Sequence, residues 1–402
     1  MVTFLSFILT AVAFLFAIPV AVFFVEVFAA IALPQRHCLA APAKDTYGNV
    51  AVVVPAHNES AGLLPTLADI KAQLRPADRL LVVADNCTDD TSALAAAAGA
   101  AVIDRNDPER MGKGYALAWG LRHLEPHPPD IVIIIDADCR LTDTLIARLA
   151  AACTTAHRPV QALDLMTAPK NSPINSRVAE FAWRVKNWVR PLGLKALGLP
   201  CQLMGTGMAF PWHLIRSTDL ASGLIVEDLK LGLDLAIADN APLFCPSACV
   251  ISEFPSSFEG VQSQRRRWEQ GHLGMILTAA PRLIVAAVRQ RNVDLLALAL
   301  DVAVPPLSFL AMLVVAMSVV GALATLLGFP STAMLVGVAS LLTFLTGVVL
   351  SWLKCGRDVL PPRAILSIAP YILGKIPLYC RILLQRSSLQ WIRSDRKRTP
   401  QV

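Results

Sequence analysis

Two carboxylates one residue apart, Asp136 and Asp138 of Asp136-Ala137-Asp138, follow the run Ile131-Val132-Ile133-Ile134-Ile135. Five consecutive β-branched residues predict a strand buried on both faces of a parallel sheet. Ligands of open α/β sheets bind just past the carboxyl ends of strands, so this pair is placed to hold a divalent cation. An acidic loop, or an Asp capping the next helix, is the plainer alternative. Two further strand candidates repeat the pattern. Val50-Ala51-Val52-Val53-Val54 leads into Pro55-Ala56-His57-Asn58-Glu59-Ser60, and Leu80-Leu81-Val82-Val83-Ala84 leads into Asp85-Asn86-Cys87-Thr88-Asp89. Three successive strands therefore end in a carboxylate on one rim: Glu59, Asp85 and Asp136. Asn86, Thr88 and Asp89 also fit turns and helix caps with no other role.

Between these segments, Gly112-Lys113-Gly114 flanks a lysine with glycines, which lets backbone and cation approach an anion closely. The spacing is not that of a P-loop, and no Gly-x-Gly-x-x-Gly follows a strand, so neither nucleotide hydrolysis nor hydride transfer has support. Farther on, Glu227-Asp228 opens a helical segment, where acids could simply complement the macrodipole. Gln264-Arg265-Arg266-Arg267-Trp268 comes last, immediately before an apolar region, and a basic cluster with an interfacial Trp there could equally face lipid headgroups.

The elements that carry these residues form an α/β domain set among membrane segments. Of 402 residues 55% are hydrophobic and 16% charged, and the mean hydropathy of +0.54 is too high for a soluble protein. Residues 3–34 carry one charge, Glu26, and exceed the roughly 20 apolar residues that a spanning helix needs. With no basic n-region, this segment reads as a membrane helix and not a signal peptide. The expected organisation is an N-terminal transmembrane helix at 1–34, a cytoplasmic domain at 45–280 and an interfacial helix at 281–301. Two spans at 302–353 then precede an amphipathic, basic cytoplasmic tail at 354–402. Segment 364–380, broken by Pro370, Lys375 and Pro377, reads as interfacial. Basic residues at Arg36, Lys44, Lys354, Arg357, Arg363, Arg386, Arg393, Arg396, Lys397 and Arg398 border the membrane segments, which places the domain and tail on the cytoplasmic side of an inner membrane. These flanks account for the net charge of +6 without a nucleic-acid partner. Nine cysteines form no disulfide framework; Cys245 and Cys249 lack a second ligand pair at zinc spacing.

Taken in order, Asn58-Glu59, Asp85, Asp136-Ala137-Asp138, Glu227-Asp228 and Gln264-Arg265-Arg266-Arg267-Trp268 resemble the membrane-embedded family 2 glycosyltransferases. That group includes cellulose, chitin and hyaluronan synthases and ceramide glucosyltransferase. The resemblance covers about 50–272 and implies a GT-A nucleotide-sugar-binding domain, with a central mostly parallel sheet, inserted between transmembrane helices. It further implies a UDP-sugar donor, a Mg or Mn cofactor, and transfer to a growing β-linked polysaccharide or a lipid acceptor. Asp138 would bind the metal, with Asp136 against ribose and metal. Asn58, Glu59 and Asp85 would serve the uridine, and Lys113 would lie near base or diphosphate. Asp228, beside Glu227, would be the general base. Gln264, Arg267 and Trp268 would close over diphosphate and acceptor. One base and no separate nucleophile imply inversion. Membrane lipids, an accessory export subunit or a second copy of the chain are the partners expected.

The chain departs from the group at Val226, where Thr is usual, and at Leu203-Met204-Gly205-Thr206, where an aromatic, Cys-rich acceptor segment is common. It also has only three clear spans. A catalytically silent subunit of a partner synthase would be expected to lose metal or base carboxylates, and all are present. A transporter would need polar residues in its spans, of which Asp301 is the main example.

Overall fold

The computed structural model describes residues 2–34, 46–169, 172–221, 226–255, 258–363 and 368–384. Arg36, Lys44 and the basic residues from Arg386 onward lie outside the described residues. The chain forms two compact units, one from Arg36–Pro169 and Pro200–Trp268, the other from Met1–Gln35, Lys170–Leu199 and Glu269–Ser387.

The first unit is an eight-stranded sheet between helices. Its strands are β1 Val50–Ala56, β2 Arg79–Asp85, β3 Ala101–Arg105, β4 Ile131–Ile134, β5 Arg140–Leu141, β6 Val160–Thr167, β7 Met208–Pro211 and β8 Leu243–Glu253, in the spatial order β3-β2-β1-β4-β7-β6-β8-β5. The four strands β3, β2, β1 and β4 run parallel, while β7 lies antiparallel between β4 and β6. The order reverses at β1, whose chain continues to β2 on one side while β4 pairs on the other. Such a switch point leaves a crevice beyond the strand ends.

Alternation explains the apolar runs. Ile131, Ile133 and Ile135 pack on one face with Leu63, Leu67 and Leu149, whereas Val132 and Ile134 pack on the other with Leu117, Leu121 and Leu231. Helices Leu64–Lys71 and Leu145–Ala156 thus cover one face, and Lys113–Leu124 and Glu227–Ile237 the other. Gly120 allows the Lys113–Leu124 helix to lie close, because a Cβ there would stand 2.9 Å from Val83. Cys245 and Cys249 flank a break in register between β6 and β8, so their spacing marks a bulge.

In the second unit, four helices are long and apolar enough to cross a membrane: Thr3–Ala32, Arg266–Gln290, Leu307–Leu326 and Thr332–Cys355. The second of these is the end of the helix Phe258–Gln290, which continues past 280, where the sequence places the end of the soluble domain. Sequence reasoning counted three spans because basic Arg265–Arg267 masked the apolar stretch that follows them. From residue 368 the described part of the segment 364–380 forms the short helix Ile368–Leu373 and the start of a second, Ile376–Leu384, which runs past its end. Between them Lys375 is buried, ion-paired with Glu269 and bonded to Ser308. Glu26 and Asp301, the acids of the apolar segments, both pair with the buried Arg190. Each acid therefore has a partner, as a charge removed from water requires.

Asp78 fixes the start of β1. Its carboxylate accepts from Val50 N (3.0 Å) and from the Arg75 backbone and guanidinium, while Arg75 in turn donates to Tyr47 O and Gly48 O. Burial alone would raise the Asp78 pKa, but the hydrogen bonds from Arg75 and Val50 hold it below its ordinary 3.8. Stability from this carboxylate is present above the unfolded value and is lost as pH falls through the lower folded value. Asp78→Ala should cost about 3 kcal/mol by removing the carboxylate that Arg75 pairs with and that accepts from Val50 N. Melting of the detergent-solubilised protein should show this gap at pH 7 and a smaller one below pH 3.8.

Candidate active site

The crevice at the β1/β4 switch point opens into a solvent-facing cleft of about 220 Å³. Its walls come from the strand ends predicted from sequence: His57 and Glu59 after β1, Asp85 at the end of β2, and Asp136 and Asp138 after β4. Lys113 enters from the helix Lys113–Leu124, and Gln264 and Arg267 from the helix Phe258–Gln290.

Asn58, Ser60 and Asn86 hold positive φ angles of 54°, 46° and 51°. Non-glycine residues rarely adopt this conformation, and it persists only where the surroundings enforce it. Here Asn58 Oδ1 accepts from Thr88 N (2.7 Å), and Thr91 Oγ1 accepts from both Glu59 N and Ser60 N. Asp89 accepts from Ser60 Oγ and Thr91 N. Thr88 and Asp89 thus serve the turn, as their plainer reading supposed. Asn58 is tied into the same network and is not among the residues lining the cleft.

Asp85, 6% exposed, directs Oδ1 to Arg105 Nη1 at 2.6 Å and to Asn86 Nδ2 at 3.1 Å. Arg105 also bonds Asp107 and lies over the Tyr115 ring. Sequence reasoning missed Arg105, although it ends β3 just as Asp85 ends β2, and the strand-end rule applied to cations would have found it.

The Asp136-Ala137-Asp138 turn is held from two sides. Thr206 Oγ1 accepts from Asp136 N (3.1 Å), and Thr66 Oγ1 donates to the Ala137 carbonyl (2.8 Å). Neither threonine has a signal in the sequence. Lys113 ion-pairs with Asp136 and donates to Gly205 O (2.7 Å). Burial would lower the lysine's pKa, but Asp136, Glu227 and Asp228 together raise it above the ordinary value, so Lys113 stays charged. Gly205 has φ of +98°, and a Cβ there would lie 3.2 Å from Asp228 Oδ2. Lys113 Nζ lies 3.8 Å from the same point, so the lysine and Asp228 meet on one side of Gly205.

Glu227 is raised to about 8, first by burial and then by repulsion from Asp228, with Lys113 partly offsetting both. At neutral pH this carboxyl is protonated. Burial lowers the Arg267 pKa and Glu227 partly restores it. Trp268 is half-buried beside Arg267 in sequence but is not among the lining residues. Buried Cys139 has its thiol pushed up by burial and by Asp136, so it offers no thiolate.

No cluster of three or more His, Cys, Asp or Glu suited to a metal occurs among the described residues. Two carboxylates at the mouth of an anion-sized cleft nevertheless fit a hard cation that takes its remaining ligands from phosphate oxygens and water.

Residues 48–271 match the family model described as glycosyltransferase like family 2. The chain belongs to this family. Its sheet is that of the GT-A glycosyltransferases, the fold shared with the mannosyltransferase PcManGT from Pyrobaculum calidifontis, solved in complex with GDP-Man and Mn2+. That match covers 94% of this chain and 100% of the other, with 16% identity and a TM-score of 0.53. Among curated proteins the chain is similar to glucosyl-3-phosphoglycerate synthase of Mycobacterium tuberculosis, 39% identical over 95 residues, which are 22% of this chain and 28% of the relative. It is also similar to the low-salt glycan biosynthesis hexosyltransferase Agl6 of Haloferax volcanii, 34% identical over 97 residues, 24% of this chain and 22% of the relative. The chain thus spans about a quarter of the length of the curated relatives it matches.

A carboxyl whose folded pKa is raised contributes stability below its unfolded value, and that stability is lost as pH rises through the folded one. For Glu227 the window runs from 4.5 to about 8. The neutral variant Glu227→Gln should therefore gain melting temperature relative to wild type as pH is raised across that window, measured on the full chain without ligands.

Proposed function

We propose that this family 2 glycosyltransferase is a membrane-bound, inverting enzyme that moves a hexose from a UDP-sugar to a growing β-linked polysaccharide or a lipid acceptor. The convergence of Asp85, Asp136, Asp138 and Lys113 around one cleft, with Asp228 outside its lining but near Lys113 across the Gly205 turn, carries this reading. The four long apolar helices support a multi-pass inner-membrane protein, and the basic flanks support a cytoplasmic catalytic domain. An export partner or a second copy of the chain would complete a polymer path.

The donor's base is read by Asp85. Arg105 and Asn86 occupy Oδ1, leaving one carboxylate oxygen to accept from the ligand. A single acceptor suits uracil, with its one ring N–H, better than guanine, which presents two adjacent N–H groups. Glu59 flanks the nucleoside, and Asn58 holds the turn that carries it. Asp136 and Asp138 would hold Mg2+ or Mn2+, which supplies charge neutralisation at the leaving diphosphate. Arg267 and Gln264 donate to the same diphosphate, and Trp268 stacks on a sugar ring.

Asp228 is the base. Repulsion from Asp228 raises the neighbouring Glu227, which favours a single negative charge on the pair. As the acceptor hydroxyl attacks the anomeric carbon, its proton passes to Asp228, the new C–O bond forms, and the bond to the diphosphate breaks. One displacement inverts the anomeric centre and gives a β-linkage from an α-linked donor.

With Mn2+ or Mg2+ and a panel of UDP-sugars, lipids and oligosaccharides, the purified protein should release UDP in a sugar-dependent manner. Asp228→Asn should lower transfer by about 10²-fold or more while UDP binding changes little. No UDP release with any donor would overturn the enzymatic reading, and a normal rate in Asp228→Asn would overturn the base.

Base choice has its own test. Calorimetry should show UDP binding at least about tenfold more tightly than GDP, and Arg105→Met should narrow that ratio by freeing the second Asp85 oxygen. Equal binding of the two nucleotides by the wild-type protein would exclude this assignment.

A further inference from the structure

Gln161 lies on β6, has no exposure, and is not among the residues lining the cleft. A buried amide needs partners for its donors and its acceptor. Gln161 Oε1 accepts from Met204 N (2.8 Å), while Nε2 donates to Thr206 O (2.9 Å) and to Ala162 O (2.8 Å). The Met204 N–H can only donate, which fixes the orientation of the amide. One side chain therefore grips the first N–H and the last carbonyl of the tripeptide Met204-Gly205-Thr206.

Two residues of that tripeptide, Gly205 and Thr206, touch the site. The Gly205 carbonyl receives Lys113, its α-carbon faces the Asp228 carboxylate, and Thr206 Oγ1 receives Asp136 N. On its other side Leu203 packs against Gly232, on the helix that begins with Glu227 and Asp228. An apolar residue at 161 would fill the same space in the sheet but would leave the Met204 N–H and the Thr206 carbonyl without these bonds. A buried amide at this point serves the loop and not the strand pairing, which runs through backbone groups.

We propose that Gln161 is a positioning residue for sugar transfer, holding Met204-Gly205-Thr206 so that Gly205 sets the spacing between Lys113 and Asp228 on which the attacking hydroxyl must seat. The inference rests on the reading of Asp228 as the base. Its signature is a split between chemistry and nucleotide binding. Asp85 and Arg105, which bind the base, lie on β2 and β3 and do not depend on this loop.

Gln161→Met keeps side-chain length and removes all three bonds. In the full-length protein with Mn2+, calorimetry should find UDP binding at wild-type stoichiometry, with a loss of affinity well short of the loss of turnover, because Thr206 of the loop also holds Asp136. Turnover of the UDP-sugar, read as UDP release, should fall on the order of 10²-fold, the scale of a misplacement of about 1 Å. Gln161→Glu, which keeps an acceptor for Met204 N–H but loses the bond to Thr206 O, should show the same split if the Met variant does not accumulate. Wild-type turnover in either variant overturns the proposal, as does a loss of turnover that only tracks a loss of UDP-binding sites. Asp228→Asn run alongside separates the two ideas. If it loses transfer while the Gln161 variants keep it, the base stands and the positioning role falls; if it transfers at the normal rate, the base falls and the Gln161 proposal with it.

Discussion

Repulsion among carboxylates is the constraint that shapes this site. Asp136, Glu227 and Asp228 gather near one lysine at the edge of a sheet, where water is partly excluded and like charges repel more strongly than in solution. The fold answers in several ways. Lys113 lies between the acid groups and is kept charged by them, Glu227 takes up a proton, and Asp85 is matched with Arg105 in a separate buried pair.

Much of this site was legible in the sequence because its acids end strands. A buried β-branched run cannot contain a carboxylate, so the first acid after it marks both the strand's end and the sheet's rim. Asp85 and Asp136 were found in this way, and so was Glu59 a few residues beyond its strand. The supporting residues were not. Thr66, Thr206 and Gln161 are neutral side chains whose importance depends on which strand lies beside which, and the antiparallel insertion of β7 between β4 and β6 leaves no periodic trace in the chain. Arg105 lay in between, with its position legible and its partner not.

The membrane segments divide similarly. Hydropathy marked the helices Val2–Ala32, Leu307–Leu326 and Thr332–Cys355. It passed over the apolar end of Phe258–Gln290, because the same helix starts with charged residues. Lys375 reads in sequence as a break in an amphipathic segment; buried and paired with Glu269, it acts instead as an internal tie. Asp301, the residue that gave a transport path its main support, is occupied by Arg190.

The Glu26–Arg190–Asp301 triad also imposes an order in time. Arg190 meets an acid 164 residues before it and another 111 residues after it. As the chain is synthesised, the first helix therefore exists long before its cation does, and the cation before its second acid. The membrane unit cannot reach its final packing until Asp301 has been made, by which point every strand of the sheet has already left the ribosome.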